Sequence, residues 1–206
     1  NSWRLDLTPY LQFGGENQLA ISVDNPNHSA RWYPGAGLYS NVWLVKTNPV
    51  HVMQWGTYIT ASDVSEESAK IDIEVSIENK TQKSAEIETV TDIYFLDEND
   101  QVGAVVVSFD AFKTTVAAHE KEEIKGSVII ENPFLCGPPP KQQSHRYIAV
   151  TRLLQNGDLV DIYETTFGIR KVEFDPDKGI FVNGEQIQLK GVNQHHDLGA
   201  LGAAFN

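Results

Sequence analysis

The sequence predicts an all-β protein built around an immunoglobulin-like β-sandwich. Apolar residues alternate with polar ones along most of the chain, as they do in strands with one buried face. Seven or so short segments of this kind fall within roughly 110 residues and are separated by polar turns, which is typical of such a sandwich. An Asn183-Gly184 pair between two apolar runs adds a β-hairpin after it.

Residues 1–50 are interpreted as the closing strands of a first β-sandwich. Apolar and polar residues alternate over 19–23, and a turn rich in Asp, Asn and Pro follows. An apolar run at 42–44 predicts a second strand, and residues 31–39 between the two form a loop dense in aromatic residues and glycine. We expect the earlier strands of this domain to lie outside the chain, because both chain ends look cut.

Residues 51–168 are predicted to form the complete immunoglobulin-like sandwich. Isoleucine and valine alternate with Asp, Glu and Ser over 71–77, which predicts one buried and one solvated face. The prolines within 133–140 predict a loop that crosses the edge of the sandwich rather than a central strand. Cys136 is the only cysteine, so no internal disulfide can form and packing must hold the sheets together. Strands are predicted from about residue 57 and near 71–77, 85–96, 102–109, 112–117, 124–131, 146–155 and 159–167.

Residues 169–206 are predicted to open with a hairpin. The apolar runs 180–182 and 187–189 flank Asn183-Gly184, a pair that favours a tight turn with positive φ at both positions. The stretch Leu189–Val192 is then predicted to be a further apolar strand, and it leads directly into His195, His196 and Asp197.

The run His195-His196-Asp197 is the one cluster in the sequence with catalytic character. Neighbouring residues on an extended segment point to opposite sides, so both imidazoles cannot easily bind one metal ion. The run could form ordinary hydrogen bonds at a strand end, or it could belong to a site. Its position after an apolar strand favours a site, because active sites form at the carboxyl ends of the strands in parallel barrels.

The aromatic loop and its neighbour Asn41 form a second candidate. Exposed aromatic rings stack on the apolar faces of sugars, and an amide can bind the hydroxyls, so the segment could contact a saccharide. The rings could equally form a small core beneath the loop, and Asn41 could simply stabilise a turn.

Composition and charge exclude several function classes. The 206 residues include 16 Lys and Arg against 28 Asp and Glu, a formal net charge of −12, which disfavours nucleic acid and anionic membranes. No apolar run approaches the ~20 residues that a membrane-spanning helix needs. The sequence contains no nucleophile elbow, phosphate-binding loop or zinc-binding helix, and we expect neither a metal nor a cofactor. Few cysteines suit either the cytoplasm or the periplasm, so the compartment stays open.

Several segments resemble family 2 glycoside hydrolases. The resemblance spans nearly the whole chain in order, although Ser40, Asn41 and Pro133–Pro138 depart from the common pattern. Residues 5–11, 15–20 and 31–44 resemble the last part of the family's sugar-binding jelly roll, and 166–170 resemble the junction that leads into the barrel. Residues 183–193 resemble the barrel's opening hairpin and first strand. Residues 195–202 are similar to the β-galactosidase branch in particular.

The resemblance implies a retaining β-glycosidase with two catalytic glutamates about 5 Å apart, one the acid/base and the other the nucleophile. Both would come from later strands of a (β/α)₈ barrel of ~250 residues. Fewer than forty residues follow Gly168, so we expect no catalytic residue on this chain. His195 matches a histidine that contacts the sugar and Asn41 a position that reaches it from the first domain; His196 and Asp197 complete the predicted substrate-binding set.

The combined prediction is an inactive piece of an enzyme that cleaves terminal β-galactosides. It comprises the end of a jelly roll (1–50), an immunoglobulin-like sandwich (51–168) and the start of a truncated TIM barrel (169–206). A non-catalytic carbohydrate-binding or adhesion module is the alternative from another class. A third possibility is a piece of a β-glucuronidase or β-mannosidase relative.

Overall fold

The computed structural model describes residues 4–24, 26 and 41–191. The chain divides into two compact units, one made of Asn1–Leu44 with Lys190–Asn206 and the other of Val45–Leu189. The second unit contains every strand found in the described residues, while the described part of the first contains a single 3-10 turn, Thr8–Tyr10.

The predicted all-β class is confirmed. Strands β3 and β7 have the bounds that alternation predicts, and β1 begins at Val50, seven residues before the predicted start near 57. The other sandwich strands differ by a few residues at their ends. The strands are β1 (Val50–Ser62), β2 (Ser68–Asn79), β3 (Ala85–Leu96), β4 (Val102–Ser108), β5 (Phe112–Val116), β6 (Lys121–Glu131), β7 (Arg146–Gln155), β8 (Asp158–Phe167), β9 (Val172–Asp175), β10 (Gly179–Val182) and β11 (Glu185–Ile187).

Strands β1 to β8 form an antiparallel sandwich. One sheet has the order β1-β2-β6 and the other β4-β3-β7-β8, with β5 paired to the first half of β3. On β2, Ile71, Ile73, Val75 and Ile77 are buried while the residues between them reach solvent, as the alternation predicts. Burying each such side chain stabilises the fold by about 1.5–3 kcal/mol, so packing holds the two sheets together without a disulfide.

A wide bulge interrupts β1. Val52 pairs with Ile77 and Thr57 with Val75, so four residues of β1 stand opposite one residue of β2. Trp55 in the bulge has a φ of 57° and its side chain is exposed. A Cβ on the next residue, Gly56, would lie 2.7 Å from the Met53 carbonyl oxygen, so only glycine fits there.

Side chains of β8 join this last strand of the sandwich to its first. Asp161 accepts a hydrogen bond from the Val52 N–H at 2.8 Å, and the Tyr163 hydroxyl accepts one from the Trp55 N–H at 2.9 Å. The Thr165 hydroxyl donates to that of Thr57 at 3.0 Å. Residue numbers rise together along both strands in these contacts, so β1 and β8 run in the same direction.

Three strand predictions outside the sandwich are wrong for the described residues. Segments 19–23 and 42–44 are neither paired nor buried, and residues 189–191, where a first barrel strand is predicted, are irregular with Leu189 72% exposed. The apolar pattern is present in each, but a strand also needs a neighbouring backbone to pair with. No described strand lies beside these segments.

Strands β9, β10 and β11 form a separate antiparallel meander, and the predicted hairpin is confirmed. Its turn is Asn183-Gly184, with φ of 53° and 77°, the positive values that a type I′ turn needs. The second strand covers Glu185–Ile187, two residues earlier than the predicted 187–189, because the tight turn leaves no room for a longer loop.

Candidate functional site

The predicted sugar-contacting residues are placed only in part. Asn41 lies in irregular, exposed backbone of the first unit. His195, His196 and Asp197 lie outside the described residues, as does the aromatic loop 31–39. Their roles stay predictions.

The structured site that the described residues do offer is the joint where the hairpin meets the sandwich. We call Lys141, Gln142, Asn183 and Glu185 the hairpin clamp. The Asn183 side-chain amide donates to the Cys136 carbonyl at 3.1 Å and to the Gln142 side-chain oxygen at 2.9 Å. Gln142 in turn donates to the Val182 carbonyl at 2.9 Å and to the Glu185 carboxylate at 3.2 Å.

An ion pair and a hydrogen bond at the hairpin turn complete the clamp. Lys141 forms an ion pair with Glu185 at 2.7 Å. Hydrogen bonds from Lys141 and then from Gln142 hold the pKa of the Glu185 carboxyl below its usual range. The Asn183 side-chain oxygen accepts from the Lys171 N–H at 2.9 Å, which fixes where the chain enters the hairpin. The proline-rich loop is thereby joined to the hairpin by polar contacts on two sides.

The backbone beneath the clamp packs tightly. The Cys136 N–H donates to the Ile169 carbonyl at 2.7 Å. A Cβ at Gly168 would lie 2.8 Å from the Cys136 Cβ and 2.9 Å from its sulfur, so glycine is required where the two segments cross. Cys136 is half-buried in this contact, as a small packing residue.

An aromatic cluster supports the same loop from the sandwich side. The Phe134 ring lies 5.0 Å from that of Phe95 and 5.3 Å from that of His145, measured between ring centroids. The Phe134 N–H donates to the Tyr147 hydroxyl at 2.8 Å. Burial raises the pKa of Tyr147, so that hydroxyl stays neutral and keeps its acceptor role at physiological pH.

Two clefts open on the second unit. One of about 380 Å³ lies between the aromatic cluster and the clamp, lined by Glu66, Pro133–Leu135, Gln142, Gln143, His145, Asn183 and Glu185. The other, of about 550 Å³, is lined by Lys46–Pro49 and Leu159–Ile162. Only the first combines an exposed aromatic ring with several amide and carboxylate groups.

The described residues contain neither a metal-binding cluster nor a membrane-spanning helix. Within residues 4–24, 26 and 41–191, no three His, Cys, Asp or Glu side chains lie close enough together to bind a metal ion. Over the same residues, no helix has the length and apolarity that crossing a bilayer demands.

The clamp was not predicted from the sequence. The sequence indicates Asn183 as a turn residue, but the two acceptors of its side-chain amide lie more than forty residues away. Gln142 carries no local signal at all. The sequence signal that comes nearest to predicting the clamp is the asparagine in the hairpin turn, whose amide is free to bond to a neighbouring loop.

Comparison with known proteins gives the family. A family model described as glycosyl hydrolases family 2 matches residues 50–170, which is more than half of the chain. The chain is 36% identical to Beta-galactosidase BoGH2A of Bacteroides ovatus, over 100% of this chain and 23% of that protein. It is 33% identical to a beta-glucuronidase of Formosa agariphila, over 97% of this chain and 22% of that protein.

Solved structures indicate the same family. A glycosyl hydrolase family 2 member from Bacteroides cellulosilyticus matches with a TM-score of 0.83 and 32% identity, over 97% of this chain and 24% of that one. The chain thus spans about a quarter of the length of these relatives. With a family model matched over most of its sandwich and with relatives of the same kind along its whole length, the chain belongs to glycosyl hydrolase family 2.

Proposed function

We propose that this chain is part of a retaining glycoside hydrolase that cleaves terminal β-galactosides. The observation that carries the proposal is the 36% identity to a β-galactosidase along the entire chain, which includes the family match over residues 50–170. Retention would follow from two glutamates about 5 Å apart, as in the family pattern described above.

In this proposal each part of the chain has a separate task. Residues 1–50 supply the end of a sugar-binding jelly roll, 51–168 a sandwich that positions it, and 169–206 the start of the catalytic barrel. Asn41 and His195 contact the sugar, and His196 and Asp197 belong to the same site. The hairpin clamp supports this division, because it fixes the first hairpin after the sandwich through side chains from both.

The chain itself should be inactive, because the catalytic glutamates are proposed to lie on later barrel strands. We expect no turnover of a chromogenic β-galactoside by the 206-residue chain. The enzyme and substrate concentrations should be ones at which a complete family member gives a strong signal. Clear hydrolysis that disappears in His195→Ala would overturn this assignment, because it would place the chemistry on the chain.

The role of His195 is tested in the longer protein that contains this chain. His195→Ala should lower kcat/KM for a β-galactoside by about tenfold or more, the effect of losing one hydrogen bond to a substrate. His119→Asn is the control, since His119 lies in a turn with a φ of 60° that asparagine tolerates. Equal kcat/KM for both variants would remove His195 from the site.

A β-glucuronidase is the second candidate, favoured by the 33% identity to the Formosa agariphila protein. The two activities differ in whether the site receives a neutral sugar or a carboxylate. Rates of the longer protein on matched chromogenic β-galactoside and β-glucuronide substrates decide between them. A higher kcat/KM for the glucuronide would replace the galactosidase assignment and leave the family unchanged.

A further inference from the structure

The cleft between the aromatic cluster and the hairpin clamp has the features of a small ligand site. Its volume of about 380 Å³ falls in the range of roughly 300–1,000 Å³ that small-molecule sites usually have. Both of its walls belong to the same compact unit, so its shape depends on contacts already described.

Phe134 forms a fixed aromatic platform in this cleft. Its backbone N–H is bound by the Tyr147 hydroxyl, and its ring packs against those of Phe95 and His145. The side chain is nevertheless 57% exposed. A ring that is held in place yet exposed can stack on an apolar surface at little cost in conformational entropy.

The polar groups around the platform are of two kinds. Gln142, Asn183 and Glu185 are bound to one another in the clamp and hold the wall in shape. Glu66 and Gln143 are exposed, and their side chains make no hydrogen bond to another described residue. Their carboxylate and amide groups are therefore available to bind hydroxyls.

The charge of the cleft selects among possible ligands. Glu66 contributes a carboxylate, that of Glu185 is paired with Lys141, and the chain as a whole carries a net charge of −12. An anionic ligand would be repelled. A ligand with one flat apolar face, hydroxyls around its edge and no negative charge fits both the platform and the rim.

We infer that this cleft binds one pyranose ring of a neutral saccharide, stacked on Phe134, with hydroxyls bound by Glu66 and Gln143. This goes beyond the proposed hydrolase activity and does not depend on it, because binding here needs no turnover. A ligand of this size should bind with a Kd on the order of 1–10 mM.

The test is a titration of the ¹⁵N-labelled 206-residue chain with methyl β-D-galactopyranoside, followed by NMR. We expect saturable shifts of the backbone amides of Phe134, Leu135, Gln143 and His145. Sodium glucuronate at equal concentration and ionic strength should shift these amides at least several-fold less. Saturable shifts that map elsewhere, or equal responses to both sugars, would overturn the inference.

Substitutions separate stacking from a general surface effect. Phe134→Ala should weaken binding by about tenfold, and Glu66→Ala with Gln143→Ala should weaken it without touching the aromatic cluster. Phe174→Ala is the matched control, because Phe174 is 78% exposed on β9 and does not line the cleft. The inference fails if the cleft variants, with amide spectra otherwise unchanged, bind as tightly as the Phe174 variant.

Discussion

Asn79 shows how a residue can match a familiar sequence pattern and serve another purpose. Asn79-Lys80-Thr81 has the form of a glycosylation sequon. In the structure Asn79 is fully buried, and its amide donates to the carbonyls of Lys83 at 2.8 Å and Val116 at 3.0 Å. The motif forms a turn, and the partner at Val116 could not be predicted because it lies 37 residues away.

Replacing Asn79 should therefore destabilise the sandwich. Asn79→Ala removes the side-chain donor to the buried Val116 carbonyl and the acceptor of the Thr81 N–H, at a cost of about 2–4 kcal/mol in the free energy of unfolding. Urea unfolding followed by tryptophan fluorescence measures it. Asn99→Ala, in an exposed turn, should change stability by less than about 0.5 kcal/mol. Equal unfolding midpoints for the two variants would contradict the assigned role.

A pair of buried hydroxyls between β3 and β7 gives a second prediction. Thr91 and Thr151 are bonded to each other at 2.9 Å inside the sandwich. Thr151→Val alone should lower the free energy of unfolding by about 1–2 kcal/mol, because the buried Thr91 hydroxyl is left without a hydrogen-bond partner. The double variant Thr91→Val with Thr151→Val should cost less than the sum of the singles by about 1 kcal/mol. Additive unfolding free energies would show that the hydroxyls do not depend on each other.

At the scale of elements, alternation predicted strands where a partner sheet is present. β3 and β7 are the central strands of the larger sheet, and their bounds match the prediction because each has one face against the core. The same kind of pattern at 19–23 and 42–44 forms no strand among the described residues. Periodicity reports which face could be buried, but pairing depends on residues distant in sequence.

The hairpin turn allows backbone and side-chain effects to be separated. Asn183→Gly removes the side-chain hydrogen bonds of the clamp but still adopts the positive φ without strain. Asn183→Ala removes the same hydrogen bonds and is also strained at a positive φ. We expect the alanine variant to be less stable than the glycine variant by about 1 kcal/mol. Amide exchange at residue 183, whose N–H donates to the Lys171 carbonyl in the backbone, measures local opening once it is corrected for intrinsic rates. Equal protection in both variants would remove backbone strain as a cause.

The clamp should also weaken in acid. Because the pKa of Glu185 is lowered in the folded state, its stabilising effect is present at neutral pH and is lost as the pH falls below the usual range of a glutamate and through that lowered pKa. Exchange protection of the Asn183 amide, corrected for intrinsic rates, should decline there. Glu185→Gln should flatten this pH dependence, while Glu164→Gln on β8 should leave it intact. A decline that survives Glu185→Gln would assign it to another group.

At the scale of the whole molecule, stability should reside in the second unit. Every buried apolar residue among those described lies between Val50 and Val182. A chain trimmed to residues 45–189 should thus fold alone, with an unfolding free energy within about 1 kcal/mol of that of the full chain. Chemical unfolding of both tests this. A trimmed chain without a cooperative transition would show that the remaining residues are needed for folding.

The site was less predictable than the fold for a physical reason. Sugar-binding sites in barrels draw on strand ends and loops far apart in sequence, so local patterns can name candidates but not assemble them. Asn41 and His195 were selected by resemblance to a family, and their roles stay predictions. The clamp and the cleft, by contrast, are formed by the loop at 133–145 and the hairpin, which are distant in sequence and meet only in the fold.

The contacts between β1 and β8 have a mechanical consequence. Because these strands run in the same direction, the polypeptide enters the sandwich at one end and departs from the opposite one. Ten residues of β8 at about 3.3 Å each separate those ends by roughly 30 Å. The positions of Val50 and Phe167 are therefore kept apart by paired strands, and the length of β8 sets their separation.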